Sequence, residues 1–263
     1  MCALHALSRE GPPRGASRHH EVQLGTAAGT NQVTEPAWSA ETALAWVERW
    51  DAVMTGFWPW RSDVQQTVVD MLHRLGASGQ VLELGCGPGS FAAQLAGRGS
   101  DVLAVDRDPL MVALARAHLA GRATVGEVDV TDAGWGARMD RRFDAVVTSA
   151  VLHMLDASRY AAAVREVAAV LRPHGVFVDV DEMPLAPCNG RLAATAAGLR
   201  ESQTEAWFSS GHEGFAAWME DLRRQPQSRP LLSMHASRSG ARVGGRAASA
   251  DERVAALRAV GFF

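Results

Sequence analysis

Hydrophobic residues in the middle of the chain follow two alternating patterns. Short, continuous apolar runs fit β-strands, and longer stretches with apolar residues three or four positions apart fit α-helices. The predicted strands cover 80–84, 101–106, 123–128, 143–148 and 175–181, and the predicted helices cover 90–97, 109–119 and 158–171. Strands that alternate with helices over short loops favour a mainly parallel sheet with helices on both faces. The pattern therefore predicts a doubly wound α/β sheet.

Two amphipathic helices are predicted before the first of these strands. The stretch SAETALAWVERWDAVM has Leu44 and Val47 on its apolar side, with Ala43, Trp46, Trp50 and Val53 as further candidates for that side, and FWPWR interrupts it. The stretch SDVQQTVVDMLHRLG follows, where Ser62 and Gln65 have the spacing of a capping box. We therefore expect an N-terminal helical cover over 38–76.

The rest of the chain divides by composition. Residues 1–37 are rich in Gly, Pro, Ser, Thr and His without periodicity, which predicts a flexible tail. Residues 77–184 hold the alternating strands and helices and form the predicted core. The alternation stops in 185–250, which we interpret as a helical insertion or substrate lid. Residues 251–263 then supply a last core helix and the start of a shortened strand.

Composition and charge narrow the classes of function. The net charge is −3 with no basic stripe, so binding to nucleic acid is not indicated. No apolar run is long enough to span a membrane and the start has no secretory signal, so a cytoplasmic protein is expected. All 26 basic residues are arginine, which excludes chemistry that needs a lysine, such as Schiff-base catalysis. The three cysteines form no C-x-x-C pair, so neither a disulfide framework nor a zinc knuckle is predicted.

A cluster of glycines follows the first predicted strand. The segment VLELGCGPGS places Gly85, Gly87 and Gly89 within five positions. Glycine permits positive φ and lets a ligand lie directly against the backbone, so the cluster predicts a bound group. The dinucleotide fingerprint needs a third glycine at the position of Ser90, so the spacing disfavours NAD.

Acidic residues follow the next two predicted strands. Asp106 comes about twenty residues after the glycine cluster, a position suited to bonding the hydroxyls of a ribose. Asp129 follows the third strand, where it could bond an adenine amino group. The carboxyl ends of parallel strands meet at one edge of the sheet, where such folds bind ligands. The sequence therefore predicts a site for an adenosine-type ligand.

Four segments in order carry a resemblance to a known family. They read VLELGCGPGS, AVDRDPLMVALAR, GEVDVTD and FDAVVTSAVLHMLD…VLRPHGVFV. Over roughly residues 45–183 and 251–262, the chain resembles the class I S-adenosylmethionine-dependent methyltransferases. The resemblance implies a Rossmann-like fold, S-adenosylmethionine as cofactor and methyl transfer as the activity (EC 2.1.1.-).

The resemblance also implies which residues hold the cofactor. Glu83 and the backbone of the glycine turn would surround its methionyl part, Asp106 would bond the ribose, and Ser149 would lie beside the methionyl amine. The full set of implied cofactor-binding residues is Arg61, Glu83, Gly85, Cys86, Gly87, Gly89, Asp106, Arg107, Asp129, Val130 and Ser149. For Glu83 the residues give the same indication, because an unpaired carboxylate in a buried strand is costly unless it has a function.

His153 is the candidate catalytic residue. It follows the fourth strand, at the expected substrate entrance, and could remove a proton from a hydroxyl or a protonated amine. A structural histidine at this position is the alternative, and His212 or Glu213 are weaker candidates for the base. Methyl transfer also allows catalysis by positioning alone, without a base. Asp179 and Asp181 share one strand face, but the spacing of magnesium-dependent methyltransferases is not evident, so no metal is expected.

The acceptor is expected to be a small molecule that presents an O, N or C nucleophile. Substrate choice would lie in the 38–76 and 185–250 regions, where no motif is diagnostic, so the fold does not decide the acceptor. A tRNA-modifying methyltransferase and a non-catalytic protein that binds the cofactor stay open as alternatives. An NAD-dependent oxidoreductase is a more distant one.

The resemblance also predicts an incomplete sheet. The family's sheet closes with an antiparallel hairpin after the last helix, whereas this sequence stops at Phe263, where the first of those strands would begin. The terminal hairpin is therefore expected to be missing. The strand predicted at 175–181 would then keep an exposed edge, which favours self-association.

Overall fold

The computed structural model of the chain describes residues 2–8, 38–182, 190–239 and 246–262. Within these residues six strands form one sheet in the order β1-β6-β5-β2-β3-β4. Five strands run parallel, and β1 pairs antiparallel with β6 at one edge. The strands are β1 (Cys2–Ser8), β2 (Gln80–Leu84), β3 (Asp101–Asp106), β4 (Thr124–Glu127), β5 (Phe143–Ser149) and β6 (Leu171–Glu182).

Helices cover both faces of the sheet because alternate strand residues point in opposite directions. In β2, Leu82 and Leu84 join the apolar cluster under α5 and α9, whereas Val81 joins the cluster under α2 and α3. This arrangement confirms the doubly wound α/β fold. The helices are α1 (Ala40–Phe57), α2 (Arg61–Arg74), α3 (Ser90–Gly97), α4 (Pro109–His118), α5 (Ala157–Val170), α6 (Gly190–Ser209), α7 (Phe215–Arg224), α8 (Leu232–Ser239) and α9 (Ala250–Ala259).

The predicted capping box of the second helix is wrong. Helix α2 begins at Arg61, after Trp60, which makes no side-chain cap. Gln65 is buried, and its amide donates instead to the Ser149 hydroxyl at 3.3 Å. The tertiary contact therefore replaces the local cap that the spacing with Ser62 predicted.

The apolar side of α1 also differs from the prediction at one position. Leu44 is 45% exposed, whereas Ala43, Val47 and Val53 are buried. Helix α1 packs against α4 on one side and against α6 and α7 on another, and these neighbours select the buried stripe. Leu44 lies outside that stripe because adjacent helix positions differ by about 100° in direction.

The antiparallel neighbour of β6 comes from the beginning of the sequence. Cys2 lies opposite Glu182 and Ser8 lies opposite Val176. The expected flexible tail is therefore wrong for Cys2–Ser8, and the expected open edge of this strand is wrong as well. The physical reason is that the unpaired amides and carbonyls of an edge strand accept any extended segment that reaches them. The other tail residues, 1 and 9–37, lie outside the described residues, as does Phe263.

The region after the sheet is helical, with α6, α7, a 3₁₀ turn at Pro226–Leu231 and α8. Helix α7 packs against α1, and α8 packs against α4. Parts of the predicted 185–250 insertion, residues 185–189 and 240–245, lie outside the described residues. The division of the chain into cover, core and insertion stays a prediction. None of the helices in the described ranges is long and apolar enough to cross a membrane.

Candidate functional site

The glycine turn between β2 and α3 wraps around the end of the neighbouring strand. The amides of Gly85 and Cys86 both donate to the carbonyl of Val105, at 2.8 and 3.0 Å. All three glycines of the turn have positive φ, at 69°, 55° and 96°. The turn thus takes a backbone path that residues with side chains rarely adopt.

The three glycines are needed for different reasons. A Cβ built on Gly85 would overlap Val151, and one on Gly89 would lie 2.8 Å from Leu119, so packing alone requires these two. A Cβ on Gly87 would meet its nearest neighbour, the Trp50 ring, at an ordinary 3.7 Å. Packing within the protein therefore does not by itself require a glycine at position 87, in contrast to Gly85 and Gly89.

Asp106 and Gly87, predicted to share a ligand, are in direct contact. The Asp106 carboxylate accepts hydrogen bonds from the amides of Gly87 and Asp108, both at 2.9 Å. Burial raises the pKa of Asp106, and the two amide donors oppose that shift. Asp106 therefore ties the end of β3 to the glycine turn.

Glu83 lies in the middle strand of the sheet, directly before the glycine turn. Its side chain is 2% exposed, and its Oε2 has no hydrogen-bond partner among the described residues. Burial raises the pKa of Glu83 to about 8, while the positive charge of Arg61 acts in the opposite direction. A buried carboxylate oxygen without a partner is unfavourable for the fold, and a ligand that donates a proton or brings a positive charge relieves it.

Asp51 joins two of the elements around the turn, and the sequence analysis missed it. Its Oδ1 accepts from Arg61 Nη1 at 2.8 Å and from the hydroxyl of Ser90 at 2.7 Å. The first residues of α2 and α3 are thus held by one carboxylate of α1. An acid in the middle of a tryptophan-rich helix, as in ERWDAVM, is the signal that could have found it.

Asp129 lies after β4, next to the strand that carries Asp106. Its Oδ1 accepts from the amide and hydroxyl of Thr131 at 2.8 and 2.7 Å, and its Oδ2 lies 3.8 Å from Arg107 Nη1. Val130 is partly buried against the core. The predicted adenine-side residues are therefore adjacent, with the Asp129 carboxylate already engaged in its own turn.

The chain turns sharply where β5 ends. Ser149 is followed by Ala150 at φ 59°, a left-handed conformation that is uncommon outside glycine. Such outliers cluster at functional sites, where the surroundings hold them in place.

Cys86 contributes only its backbone to this edge, because its side chain is buried, and burial raises the pKa of its thiol.

His153 is bound to a buried group of charged side chains. Its Nδ1 lies 2.8 Å from Asp181 Oδ1, and its backbone amide donates to Asp181 Oδ2 at 2.6 Å. Arg253 Nη1 bridges Asp181 Oδ2 at 3.4 Å and Asp179 Oδ2 at 3.3 Å. The Tyr160 hydroxyl donates to Asp179 at 3.0 Å. Burial and the neighbouring Asp181 raise the pKa of Asp179 to about 6.

The sequence analysis considered the two aspartates of this group but missed its cation. Arg253 lies on α9 and is 0% exposed. An arginine at the same helical spacing as Leu257, opposite a strand with two acids, is the signal that was available. In the part of the chain that the structure describes, no group of three or more His, Cys, Asp or Glu side chains is arranged to hold a metal ion.

Aromatic side chains of the cover and the insertion meet beside Gly87. The Trp50 ring lies 5.0 Å from Trp218 and 6.1 Å from Phe215, between ring centroids. We call these three residues the aromatic wall. Trp218 is fully buried, whereas Phe215 is 40% exposed. The wall therefore has a core side and an accessible side.

The two weaker candidates for the base lie near this wall and are engaged elsewhere. The exposed His212 stacks on Trp207 at 3.7 Å. Glu213 forms an ion pair with Arg49, which also pairs with Asp221 at 2.9 Å. In the contacts described here, neither side chain is oriented by a neighbouring carboxylate as His153 is by Asp181.

Comparison with known proteins identifies the segment that carries this site. Residues 81–175 match a family described as a methyltransferase domain. The match includes the glycine turn, Asp106, Asp129, Ser149 and His153. This segment of the chain is therefore similar to a methyltransferase domain. S-adenosylmethionine is the cofactor that the resemblance implies, and the roles of Gly87 and Glu83 in holding it stay predictions.

Curated relatives match over part of the chain. An uncharacterised methyltransferase of Mycobacterium tuberculosis (strain H37Rv) is 38% identical over 103 residues, which is 38% of each chain. A protein of Mycobacterium bovis with the same description matches equally well. The chain thus spans about two fifths of the length of these relatives.

Solved methyltransferase structures are similar over about half to three quarters of the chain. CalS10, an amino pentose methyltransferase from Micromonospora echinaspora solved with S-adenosylmethionine, is 28% identical, covers 48% of this chain and 52% of its own, and has a TM-score of 0.42. DesVI of Streptomyces venezuelae is 24% identical, covers 54% and 59%, and has a TM-score of 0.45. An O-methyltransferase family protein of Burkholderia thailandensis is 18% identical, covers 75% and 51%, and has a TM-score of 0.47.

Proposed function

We propose that the protein transfers the methyl group of S-adenosylmethionine to an O, N or C nucleophile of a small-molecule acceptor. The observation that carries the proposal is Glu83, a buried carboxylate whose Oε2 lacks a partner among the described residues. It lies directly before the glycine turn, where a Cβ on Gly87 would meet only the Trp50 ring within 4 Å. The methionyl end of the cofactor, with its ammonium group, supplies the positive charge that this carboxylate lacks.

The residues around the turn would hold the cofactor from three sides. Glu83 would bind the ammonium group, and Arg61, already fixed by Asp51, would attract the carboxylate. Asp106 would bond the ribose hydroxyls with the lone pairs that its two amide donors leave over. When bound, the cofactor supplies an electrophilic methyl group on a sulfonium. The protein's own task is to align the acceptor with that group and to exclude water.

A small acceptor is supported by the surroundings of the turn. The aromatic wall joins α1 to α7, and the ion pairs of Arg49 with Glu213 and Asp221 hold the two helices together. Apolar walls with few polar groups are typical of sites for small molecules. The net charge of −3 gives no support to tRNA as the acceptor.

The pairing of β1 with β6 bears on the non-catalytic alternative. That reading relied on an open edge at the fifth parallel strand, and β1 now pairs with that strand from Cys2 to Ser8.

Methyl transfer can be tested without knowing the acceptor. The purified protein is incubated with S-adenosylmethionine labelled in its methyl group and with small-metabolite and tRNA extracts in separate reactions. We expect label in the small-metabolite fraction, and none with the Glu83→Gln variant. Label in tRNA alone would replace the small-molecule acceptor with the tRNA alternative. No label in either fraction, from a protein that binds the cofactor, would favour the non-catalytic alternative.

A further inference from the structure

The buried charged group behind His153 lies at the same edge of the sheet as the glycine turn. His153 is in the 3₁₀ turn Leu152–Met154 that follows β5, and Asp181 is near the carboxyl end of β6. These strands are parallel neighbours, so both ends point to the edge where such sheets bind ligands. The His153 side chain is 45% exposed, whereas Asp181 is 1% exposed. The group therefore has one accessible member and a buried interior.

Asp181 fixes His153 by two contacts. One carboxylate oxygen accepts from the backbone amide of His153, and the other faces Nδ1 of its ring. An ionised carboxylate only accepts hydrogen bonds, so the proton of the neutral ring must lie on Nδ1. The lone pair of the ring then lies on Nε2. This is the tautomer that can accept a proton at Nε2.

Arg253 gives Asp181 a buried cationic partner. Its guanidinium bridges Asp179 and Asp181, and it is buried with them, at 1% side-chain exposure for each of the three. A buried carboxylate needs a paired cation, and here one cation serves two carboxylates. Tyr160 supports Asp179 alone. Asp179 and Asp181 are thus a matched pair of carboxylates. In the hydrogen bonds and ion pairs described above, it is Asp181 that contacts His153.

We propose that Asp181 and Arg253 are positioning residues that fix His153 as the base for an acceptor that must lose a proton. The proposal rests on the proposed methyltransferase function and narrows its acceptor to a hydroxyl or an ammonium group. Acceptors that are nucleophilic without losing a proton would have no use for this arrangement.

For a hydroxyl acceptor, methyl transfer and loss of the proton conserve atoms and charge. The acceptor oxygen forms a bond to the methyl carbon, the carbon–sulfur bond breaks, and its electron pair stays on the sulfur. The hydroxyl proton passes to Nε2 of His153. The positive charge that leaves the sulfonium thereby appears on the imidazolium, beside the Asp181 carboxylate, and the total charge is unchanged.

The tautomer of His153 can be measured without an acceptor. The imidazole nitrogens of ¹⁵N-labelled protein are recorded by NMR at a pH where the ring is neutral, and His153 is assigned by the signal that His153→Gln removes. We expect Nδ1 to carry the proton in the wild type and in Asp179→Asn, the matched control. Asp181→Asn should lose this preference. A wild-type ring protonated at Nε2, or an unchanged tautomer in Asp181→Asn, would overturn the proposal.

Two further readouts separate this proposal from the proposed function. Asp181→Asn should bind S-adenosylmethionine like the wild type, and with an identified acceptor its kcat should fall about 10–100-fold, as for other supporting carboxylates of functional histidines. If the wild type does not bind S-adenosylmethionine, the proposed function fails. If binding is intact and only the tautomer or kcat result differs, the positioning role alone fails. Should Asp181→Asn not fold, the wild-type and Asp179→Asn spectra still decide the tautomer.

Discussion

Replacing Glu83 with glutamine is expected to stabilise the ligand-free protein at alkaline pH. The wild-type carboxylate is buried in β2 with an oxygen that lacks a partner among the described residues. Ionising such a group inside the core is unfavourable, whereas glutamine has the same shape and does not ionise. The substitution should therefore remove a cost that the fold bears without a ligand.

The magnitude follows from the pKa of Glu83. Burial raises it from the ordinary 4.5 to about 8. Because the folded pKa lies above the unfolded one, the folded state binds the proton more tightly, and its stability falls as the pH rises from 4.5 to about 8. Each pKa unit corresponds to about 1.4 kcal/mol, so the full loss is about 5 kcal/mol. The advantage of Glu83→Gln should grow by that amount between about pH 4 and about pH 9.

Urea unfolding followed by circular dichroism across this pH range measures the difference in free energy of unfolding. Glu252→Gln is a control of opposite sign, because hydrogen bonds from Ser249 and Arg246 lower the pKa of Glu252 to about 2. Relative to the wild type, that variant should lose stability as the pH rises from about 2 to about 4.5, and the difference should then stay constant up to about pH 9. The reasoning about Glu83 fails if Glu83→Gln destabilises the protein at about pH 9, or if its effect does not change with pH.

Three other substitutions test the site and its support. Asp106→Ala should weaken S-adenosylmethionine binding by about 1–3 kcal/mol, measured by calorimetry, through loss of charge-assisted hydrogen bonds; unchanged affinity in a folded variant would remove Asp106 from the site. Gly87→Ala should abolish binding of S-adenosylmethionine. The control Gly121→Ala should bind normally, because Gly121 has a similar positive φ and no described atom lies within 4 Å of its Cβ. Equal affinities of the two variants would show that Gly87 serves only the turn. Arg253→Met should lower the free energy of unfolding by about 3–5 kcal/mol in urea titrations, because it leaves two buried carboxylates without their cation. The control Arg258→Met replaces an exposed arginine of the same helix and should have little effect. Equal losses in the two variants would contradict the role of Arg253.

The central sheet could be predicted from the sequence because its signals are local. Strands β2 and β3 have the predicted bounds, since each is a short apolar run that ends at a glycine or an acid. Asp106 and Gly87 could be assigned to one site because parallel strands end at the same edge. Their direct hydrogen bond follows from that placement.

Contacts between distant parts of the sequence could not be predicted. The pairing of Cys2–Ser8 with β6 joins segments about 170 residues apart, and no local pattern names the partner of an edge strand. Arg253 reaches Asp179 and Asp181 across more than 70 residues. Gln65 fitted a local capping box, and its burial beside Ser149 depends on how α2 packs on the sheet.

Calorimetric titration of the wild type with S-adenosylmethionine tests the central claim most directly. The account predicts saturable binding of S-adenosylmethionine and of its demethylated product, no binding of NAD, and loss of binding in Gly87→Ala with Gly121→Ala unaffected. Binding of NAD with no response to either sulfur compound would contradict the account, whatever the stability measurements show.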